Sequence, residues 1–327
     1  MKMLKNFRTA FTFFLACAIV DGSTAQFAGM RRAVSMEQRD GVYRGAARCP
    51  QRRRAKRGCA RGREGETDTM DKKTQEKISV PCGERRAEAT LTLPAGQVRA
   101  AAVFSHGFGG GAEDFSEDAA YLAERGVASL ALTFCGSSAR AERYLRTTQM
   151  TVFTETEELC AAIGSLAERM PGKPLFAFGA SQGGLVAALA AERMPEALSG
   201  IALLYPALCL PDDWRRNFPR REDIPSVHPL WSIPLGKIFY ESVYDVDVYS
   251  EIGTFPRPVL LMHGARDRIV PIAYSRRAAA LYPHARLEEF PDEGHGFRPA
   301  ACQKVRELFA DFVLAGCGAG QESPPEI

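Results

Sequence analysis

The chain has 327 residues, of which 46% are hydrophobic and 25% charged, and its formal net charge is +3. This composition is rich enough in apolar residues to build a full core, which excludes a mostly disordered chain. No apolar run reaches the roughly 20 residues of a membrane-spanning helix, and the 29 Gly and 20 Pro follow no G-X-Y repeat, so a polytopic membrane protein and a fibrous protein are also excluded.

Residues 1–69 carry the excess of positive charge in the chain. They carry 15 Lys or Arg against 6 Asp or Glu, whereas the rest of the chain carries 27 against 33. Because it has almost no apolar periodicity, this segment cannot bury enough surface to offset its conformational entropy, so we expect a disordered extension. Its basic run at 51–57 could contact nucleic acid or anionic lipid, but a solvated extension is the simpler interpretation and no nucleic-acid partner is required.

Residues 1–25 resemble a secretory signal peptide. Lys2, Lys5 and Arg8 precede an apolar stretch at 10–20, and small residues follow it. Two observations argue against export. The nine cysteines are odd in number and scattered, with no metal-ligand spacing. Met70 begins a polar stretch of the kind that starts a cytoplasmic domain, directly before the first predicted strand. We therefore predict a cytoplasmic protein, with export as the alternative.

From residue 78 onward, strand-like and helix-like segments alternate. Apolar strands without polar alternation, interleaved with helices, indicate an α/β fold with a mostly parallel central sheet covered by helices on both faces. We expect this domain to span 70–317, followed by a C-terminal tail at 318–327. The predicted strands are 78–80, 89–93, 98–105, 127–134, 175–179, 201–205, 259–262 and 286–290; the predicted helices are 114–125, 155–169, 182–193, 272–281 and 299–314.

Segment 209–252 interrupts this alternation. It contains five prolines and both tryptophans of the chain, and it is too long for a simple connection between strands. We predict a small cap insertion whose aromatic side chains, Trp231 and Phe239 among them, form an apolar wall for a substrate. The alternative is that these rings only hold the cap on the sheet.

The main catalytic motif in the sequence is Gly179-Ala180-Ser181-Gln182-Gly183. A G-x-S-x-G pattern arises by chance in about one chain in ten of this size, given average Gly and Ser usage. Here it follows an apolar strand and opens an Ala-rich helix, which is the context of a nucleophile elbow. Ser181 is therefore the predicted nucleophile; the alternative is a structural turn with an exposed serine.

A serine nucleophile needs a base, and the base needs an orienting acid. His295 lies in a Gly-His-Gly-Phe loop after the last predicted strand, so it is the predicted base. Asp267 follows the strand at 259–262, at the edge of a parallel sheet where sites lie, so it is the predicted acid. Asp292 and Glu293 are its competitors.

The other histidines are expected to have different roles. His106 is interpreted as a structural hydrogen-bonding residue and His284 as a surface residue. His228 lies inside the insertion, with either a structural or a substrate-contacting role.

The glycine cluster at 107–111 leaves a strand and turns sharply. Glycines there let backbone amides approach a developing negative charge, so we assign the oxyanion hole to the amides of Phe108 and Gln182. A phosphate cradle is the alternative for such a run, but the lysine and hydroxyl of the phosphate-binding motif are missing.

Together, His106-Gly107-Phe108, Gly179–Gly184, the His263–Pro271 segment and Gly294-His295-Gly296-Phe297 resemble the α/β-hydrolase family. Within it, residues 78–314 are similar to bacterial cinnamoyl (feruloyl) esterases. The resemblance implies an α/β-hydrolase fold with a small cap, and hydrolysis of a small-molecule carboxylic ester through an acyl-enzyme without metal or organic cofactor.

Two other functions remain open from the sequence. One is an aminopeptidase-like serine hydrolase of the prolyl oligopeptidase type, and the other is a non-catalytic binding protein with a hydrolase fold. A homodimer is also left open.

Overall fold

A computed structural model of the protein describes residues 74–317. The predicted extension at 1–69, with its signal-like segment at 1–25, and the predicted tail at 318–327 lie outside the described residues. Within residues 74–317 no helix is both long enough and apolar enough to cross a bilayer.

Eight strands form one sheet in the order β1-β2-β4-β3-β5-β6-β9-β10. Strand β1 pairs antiparallel with β2, β2 pairs antiparallel with β4, and the strands from β4 to β10 in this order pair parallel. This confirms the predicted mostly parallel sheet. The strands are β1 Thr74–Cys82, β2 Arg85–Leu93, β3 Ala100–Ser105, β4 Val127–Thr133, β5 Leu175–Ala180, β6 Gly200–Leu204, β9 Val259–Gly264 and β10 Ala285–Phe290.

Helices cover both faces of this sheet. The larger apolar cluster holds buried residues of α2, α3 and α7, and the smaller one holds residues of α1 and α8. The helices of the layers are α1 Ser116–Ala123, α2 Val152–Arg169, α3 Gln182–Arg193, α7 Ala273–Leu281 and α8 Pro299–Gly316.

Strand β5 is buried on both faces of the sheet, which explains why its sequence is apolar throughout. Successive side chains point to opposite faces of a sheet. Leu175 and Ala177 belong to the larger cluster, whereas Phe176 and Phe178 belong to the smaller one. Because both faces are covered, both sets of alternate residues must be apolar.

The first two strands and helix α2 differ most from the predicted boundaries. The first two strands are longer than the apolar pattern indicated and form a hairpin around Gly83, whose φ of +58° suits glycine. Helix α2 begins at Val152 rather than 155. Thr151 accepts a hydrogen bond from the Thr154 amide at 3.0 Å, and Thr154 Oγ1 accepts one from the Thr151 amide at 2.9 Å, which caps the first turn.

The segment between β6 and β9 contains its own small layer. It comprises α4 Leu210–Asn217, the hairpin strands β7 Val227–Leu230 and β8 Ile233–Gly236, α5 Lys237–Tyr244 and α6 Val248–Glu251. The hairpin turn consists of Trp231 and Ser232, with φ values of 45° and 74°. The proline-rich pattern gave no indication of these two strands.

The aromatic residues of this segment form a core of their own. Phe239 and Tyr240 are wholly buried, and the Trp214 ring meets the Tyr240 ring at 4.9 Å between centroids. The Tyr240 hydroxyl donates to the His228 carbonyl oxygen at 2.9 Å. Most of the rings in the segment therefore stabilise it from inside.

Candidate active site

Ser181 lies in the sharp turn between β5 and α3. Its φ of 53° and ψ of −119° are strained for a residue with a side chain, as expected for a nucleophile elbow. The neighbouring glycines permit this turn. A Cβ atom on Gly179 would lie 2.1 Å from the Gly183 carbonyl oxygen, and one on Gly183 would lie 2.3 Å from the Ser105 carbonyl oxygen. Both positions are therefore restricted to glycine by the backbone around them.

Three candidate catalytic side chains meet at this turn. Ser181 Oγ lies 2.9 Å from His295 Nε2, and His295 Nδ1 lies 2.7 Å from Asp267 Oδ2. Because a carboxylate only accepts hydrogen bonds, the imidazole donates from Nδ1 and its Nε2 is left to accept the serine hydroxyl proton. The three residues come from the turn after β5, from the segment after β9 and from the loop after β10, and the fold brings them into one chain of hydrogen bonds.

Asp267 is held by more than the imidazole. Its Oδ1 accepts the amides of Ile269 and Val270, each at 2.9 Å. His263 Nε2 also faces Oδ2 at 3.3 Å. Burial by itself would raise the pKa of the carboxyl, but the hydrogen bonds from His263, His295 and Val270 outweigh it and hold the pKa of Asp267 below its ordinary value. The side chain is therefore an anion at neutral pH.

The two competing acids have other partners. Asp292 is exposed and forms an ion pair with Arg266 at 2.7 Å. Glu293 accepts the Arg298 amide at 2.9 Å and pairs with the guanidinium of the same residue. Of the three acids weighed from the sequence, Asp267 is the one that accepts a hydrogen bond from His295 Nδ1.

The glycine loop after β3 lies directly beside the serine. A Cβ atom on Gly107 would lie 3.3 Å from the Ser181 Cβ. Within residues 74–317, the backbone amides of Phe108 and Gln182 donate to no protein acceptor. Both amides are therefore available for a ligand oxygen near Ser181.

His106 supports this loop from within the protein. Its Nε2 accepts the Phe134 amide at 3.1 Å, and its Nδ1 lies 2.7 Å from the Gly107 carbonyl oxygen. Burial lowers the pKa of His106 to about 4, despite the hydrogen bond to Gly107. It therefore stays neutral and ties the glycine loop to the end of β4.

Sequence reasoning did not identify three residues that touch this constellation. Tyr205, at the end of β6, packs its ring 4.5 Å from the His295 ring between centroids. Glu155 of α2 accepts a hydrogen bond from the Gln182 side chain at 2.7 Å. His263 contacts Asp267 from the end of β9. The HGARD sequence around His263 was a visible signal, whereas Tyr205 and Glu155 occupy positions where the pattern predicts only a strand end and a helix.

The two aromatic residues assigned to substrate contact occupy different environments. Trp231, at the tip of the cap hairpin, is 40% exposed and meets the Phe108 ring at 5.9 Å between centroids. Phe239 is wholly buried and lies 6.3 Å from the same ring. Phe108 thus links the glycine loop to the cap, with Trp231 on the solvent side and Phe239 within the cap.

Metal ligands do not gather at this site. No group of three or more His, Cys, Asp or Glu side chains with the spacing of a metal centre occurs in the described part of the chain.

A family model for the serine aminopeptidases S33 matches residues 96–244 of the chain. The matched range includes the glycine loop and Ser181 and ends before Asp267 and His295. A Caulobacter protein that carries the name carbamate hydrolase RutD is 28% identical over 111 residues, which is 33% of this chain and 41% of that protein. The chain thus matches about two-fifths of the length of this curated relative.

Solved structures match over a longer range. Est1E from Butyrivibrio proteoclasticus, solved with ferulic acid bound, has a TM-score of 0.67 and 22% identity, over 74% of this chain and 99% of that one. Dienelactone hydrolase from Anabaena variabilis has a TM-score of 0.54 and 22% identity, over 74% of this chain and 98% of that one. Together with the strand order and the elbow at Ser181, these likenesses show that the chain has the α/β-hydrolase fold, similar to that of Est1E.

Proposed function

We propose that the protein is a serine hydrolase that cleaves carboxylic esters through a covalent acyl-enzyme. The observation that carries the proposal is the continuous chain of hydrogen bonds from Ser181 Oγ through His295 to Asp267, at 2.9 and 2.7 Å. A serine hydroxyl needs such a base to become a nucleophile near neutral pH. A non-catalytic protein with this fold would not need all three side chains in hydrogen-bonding contact.

In the proposed mechanism, His295 Nε2 takes the proton of Ser181 as Oγ attacks the ester carbonyl carbon. Asp267 holds the imidazole in the tautomer that accepts at Nε2 and stabilises the imidazolium. The amides of Phe108 and Gln182 bind the oxyanion of the tetrahedral intermediate. His295 then protonates the leaving alcohol, and a water molecule repeats the sequence on the acyl-enzyme to release the acid.

The acyl group is proposed to be aryl or medium-chain. Trp231 and Phe108 form an edge-to-face pair at the glycine loop, and the exposed fraction of Trp231 leaves its ring accessible. An apolar wall with few polar groups selects by buried area rather than by hydrogen bonds. The likeness to Est1E, whose structure holds ferulic acid, supports an aromatic acyl group.

Amide or carbamate hydrolysis is the second candidate. It is favoured by the match to the serine aminopeptidase model over 96–244 and by the similarity to a protein named for carbamate hydrolysis. The same nucleophile, base and oxyanion hole serve all three reactions, which differ in the leaving group that His295 must protonate.

The experiment that tests the proposal has two parts. A fluorophosphonate probe should label the wild-type protein at Ser181 and should not label the Ser181→Ala variant. A matched panel of aryl esters, aryl carbamates and aminoacyl amides then compares kcat/KM between leaving groups. Labelling with an ester preference supports the proposal, whereas a labelled protein that prefers amides would establish the second candidate. An unlabelled, folded protein would contradict both.

We further propose a cytoplasmic location. The six cysteines of residues 74–317 are all free thiols, which fits a reducing compartment. Cell fractionation with an antibody against the folded domain tests this location against export.

A further inference from the structure

Glu155 is a buried acid that the proposed mechanism does not use. It lies in the first turn of α2 with 1% of its surface exposed, and its Oε2 accepts a hydrogen bond from Gln182 Nε2 at 2.7 Å. Gln182 is itself only 3% exposed. The contact thus joins α2 to the first residue of α3, immediately after Ser181, and it is shielded from water.

The acids of α2 differ in how their charge is compensated. Glu158, one turn after Glu155, accepts the Arg85 guanidinium at 2.7 Å and the Cys135 amide at 2.9 Å. Glu155 has the uncharged Gln182 amide group as its hydrogen-bonding partner. Burial raises the pKa of Glu155 to about 8, opposed by the Gln182 hydrogen bond and reinforced by the charge of Glu158. A neutral carboxyl at pH 7 avoids the large cost of a buried, unpaired anion.

The first turn of α3 has few other side chains to hold it in place. Gly183 and Gly184 come directly after Gln182, and neither has a side chain with which to anchor the turn. The residue before Gln182, Ser181, is strained, with φ of 53°. A strained segment keeps its conformation only where its surroundings hold it. Among residues 181–184, Gln182 is the residue whose side chain is tied to a neighbouring helix.

We propose that Glu155 is a positioning residue that fixes the oxyanion-binding amide of Gln182 through the side-chain contact. The inference rests on the proposed function, because it assigns the amide of Gln182 to the oxyanion. Fixing the side chain at its far end restricts rotation about the Gln182 backbone, so the amide stays directed at the developing charge. Preorganised donors of this kind lower the barrier because they do not reorient during the reaction.

The test compares three variants of the full chain on an aryl ester. Glu155→Leu removes the acceptor, and kcat should fall about 10- to 100-fold, less than the 10²–10³-fold typical for loss of a whole oxyanion donor. KM should change little, because the ground-state carbonyl binds the amide weakly. Glu155→Gln keeps an acceptor oxygen of similar shape, so it should retain kcat close to the wild type at pH 7. Thr156→Val is the matched control and should leave kcat unchanged, because Thr156 is a wholly buried residue of the same helix whose hydroxyl donates to the Val152 carbonyl oxygen.

A second measurement reports on the oxyanion hole itself. The rate of Ser181 labelling by a fluorophosphonate should fall in Glu155→Leu by the same factor as kcat, since the phosphoryl oxygen uses the same amides. If Glu155→Leu does not fold, Gln182→Leu removes the contact from the other side and keeps the backbone amide, and it should show the same loss.

The outcomes separate the two proposals. A wild-type protein without ester turnover or labelling would contradict the proposed function and this inference together. An active wild type, with kcat unchanged in folded Glu155→Leu or Gln182→Leu, would overturn the positioning role alone. A loss in Glu155→Leu that appears in KM, or equally in Thr156→Val, would also overturn it.

Discussion

His263 Nε2 lies 3.3 Å from Asp267 Oδ2, and both side chains are wholly buried. The same nitrogen lies 2.9 Å from the Val270 carbonyl oxygen, and Nδ1 lies 2.7 Å from Ser275 Oγ. His263 therefore connects the candidate acid to the next turn of the chain and to α7. Asp267 is therefore in contact with two imidazoles. His263 holds the carboxylate from the end of β9, and His295 holds it from the loop after β10.

Asp267→Asn should lower kcat on the order of 10⁴-fold with little change in folding. The amide would present a donor to one of the imidazoles and disturb the tautomer of His295. Asp292→Asn is the control, because that side chain pairs with Arg266 at the surface. Steady-state kinetics of both variants test the acid assignment, and near-normal turnover of Asp267→Asn with loss in Asp292→Asn would reverse it.

Ser181→Ala and His295→Ala should each lower kcat by orders of magnitude, and the double variant should lose no more than the single ones, because the residues act as one unit.

Tyr205→Leu should lower kcat/KM about 2- to 10-fold, the size expected for loss of one aromatic contact. The ring packs against His295 and Phe297, and the backbone φ of 35° is equally strained for leucine, so the change removes mainly the ring. Tyr205→Phe is the matched control: it keeps the ring and should have the kcat/KM of the wild type. Equal losses in the Phe and Leu variants would instead indicate a role for the hydroxyl.

Glu155→Gln should change how stability depends on pH. The carboxyl titrates at about 4.5 in the unfolded chain and at about 8 in the folded protein. Between these values only the unfolded chain ionises, so wild-type stability falls as pH rises through this window. The variant has no such group, and its Tm relative to the wild type should therefore increase from pH 5 to pH 8 and then level off.

Thermal melting of both proteins in the same buffers measures this difference. The titratable group that acts on Glu155 is Glu158 on its own helix, whose partners are Arg85 of β2 and Cys135 after β4. None of these residues changes in the variant. A constant Tm difference across the window would mean that Glu155 is ionised throughout.

A chain that begins at Met70 should keep full esterase activity and melt within about 2 °C of the full chain. The reason is that the sequence of residues 1–69 has almost no apolar periodicity with which to pack against a core. The strands of the sheet and the side chains of the candidate site all belong to residues 74–317. Activity and Tm of the two chains check this. A large drop in either would show that residues 1–69 belong to the folded structure.

The order of the elements and the meeting of Ser181, Asp267 and His295 follow from local signals. Each lies in a short motif that follows a strand of the sheet, and the carboxyl ends of parallel strands share one edge of the sheet. The contacts of Glu155 and Tyr205 have no such signal. A glutamate in the first turn of a helix is usually exposed, and its burial here depends on how α2 packs against α3. The cap hairpin also had no sequence signal, because prolines in both of its strands argue against pairing in a sheet.

Trp231→Ala should erode the preference for aryl over acetyl esters by about 10-fold, the scale of one to two buried methylenes. The ring lies at the exposed tip of the cap hairpin and contacts Phe108, so it can cover an acyl group held at the glycine loop. Val227→Ala is the matched control: it is an exposed apolar residue of the same hairpin, at the opposite end of β7 from the tip. Values of kcat/KM on aryl and acetyl esters are compared for both variants and for Phe239→Ala. Because Phe239 is wholly buried inside the cap, its loss should destabilise the cap and lower Tm as well. If Trp231→Ala reduced turnover of both esters by the same factor, the ring would support the cap rather than select the acyl group.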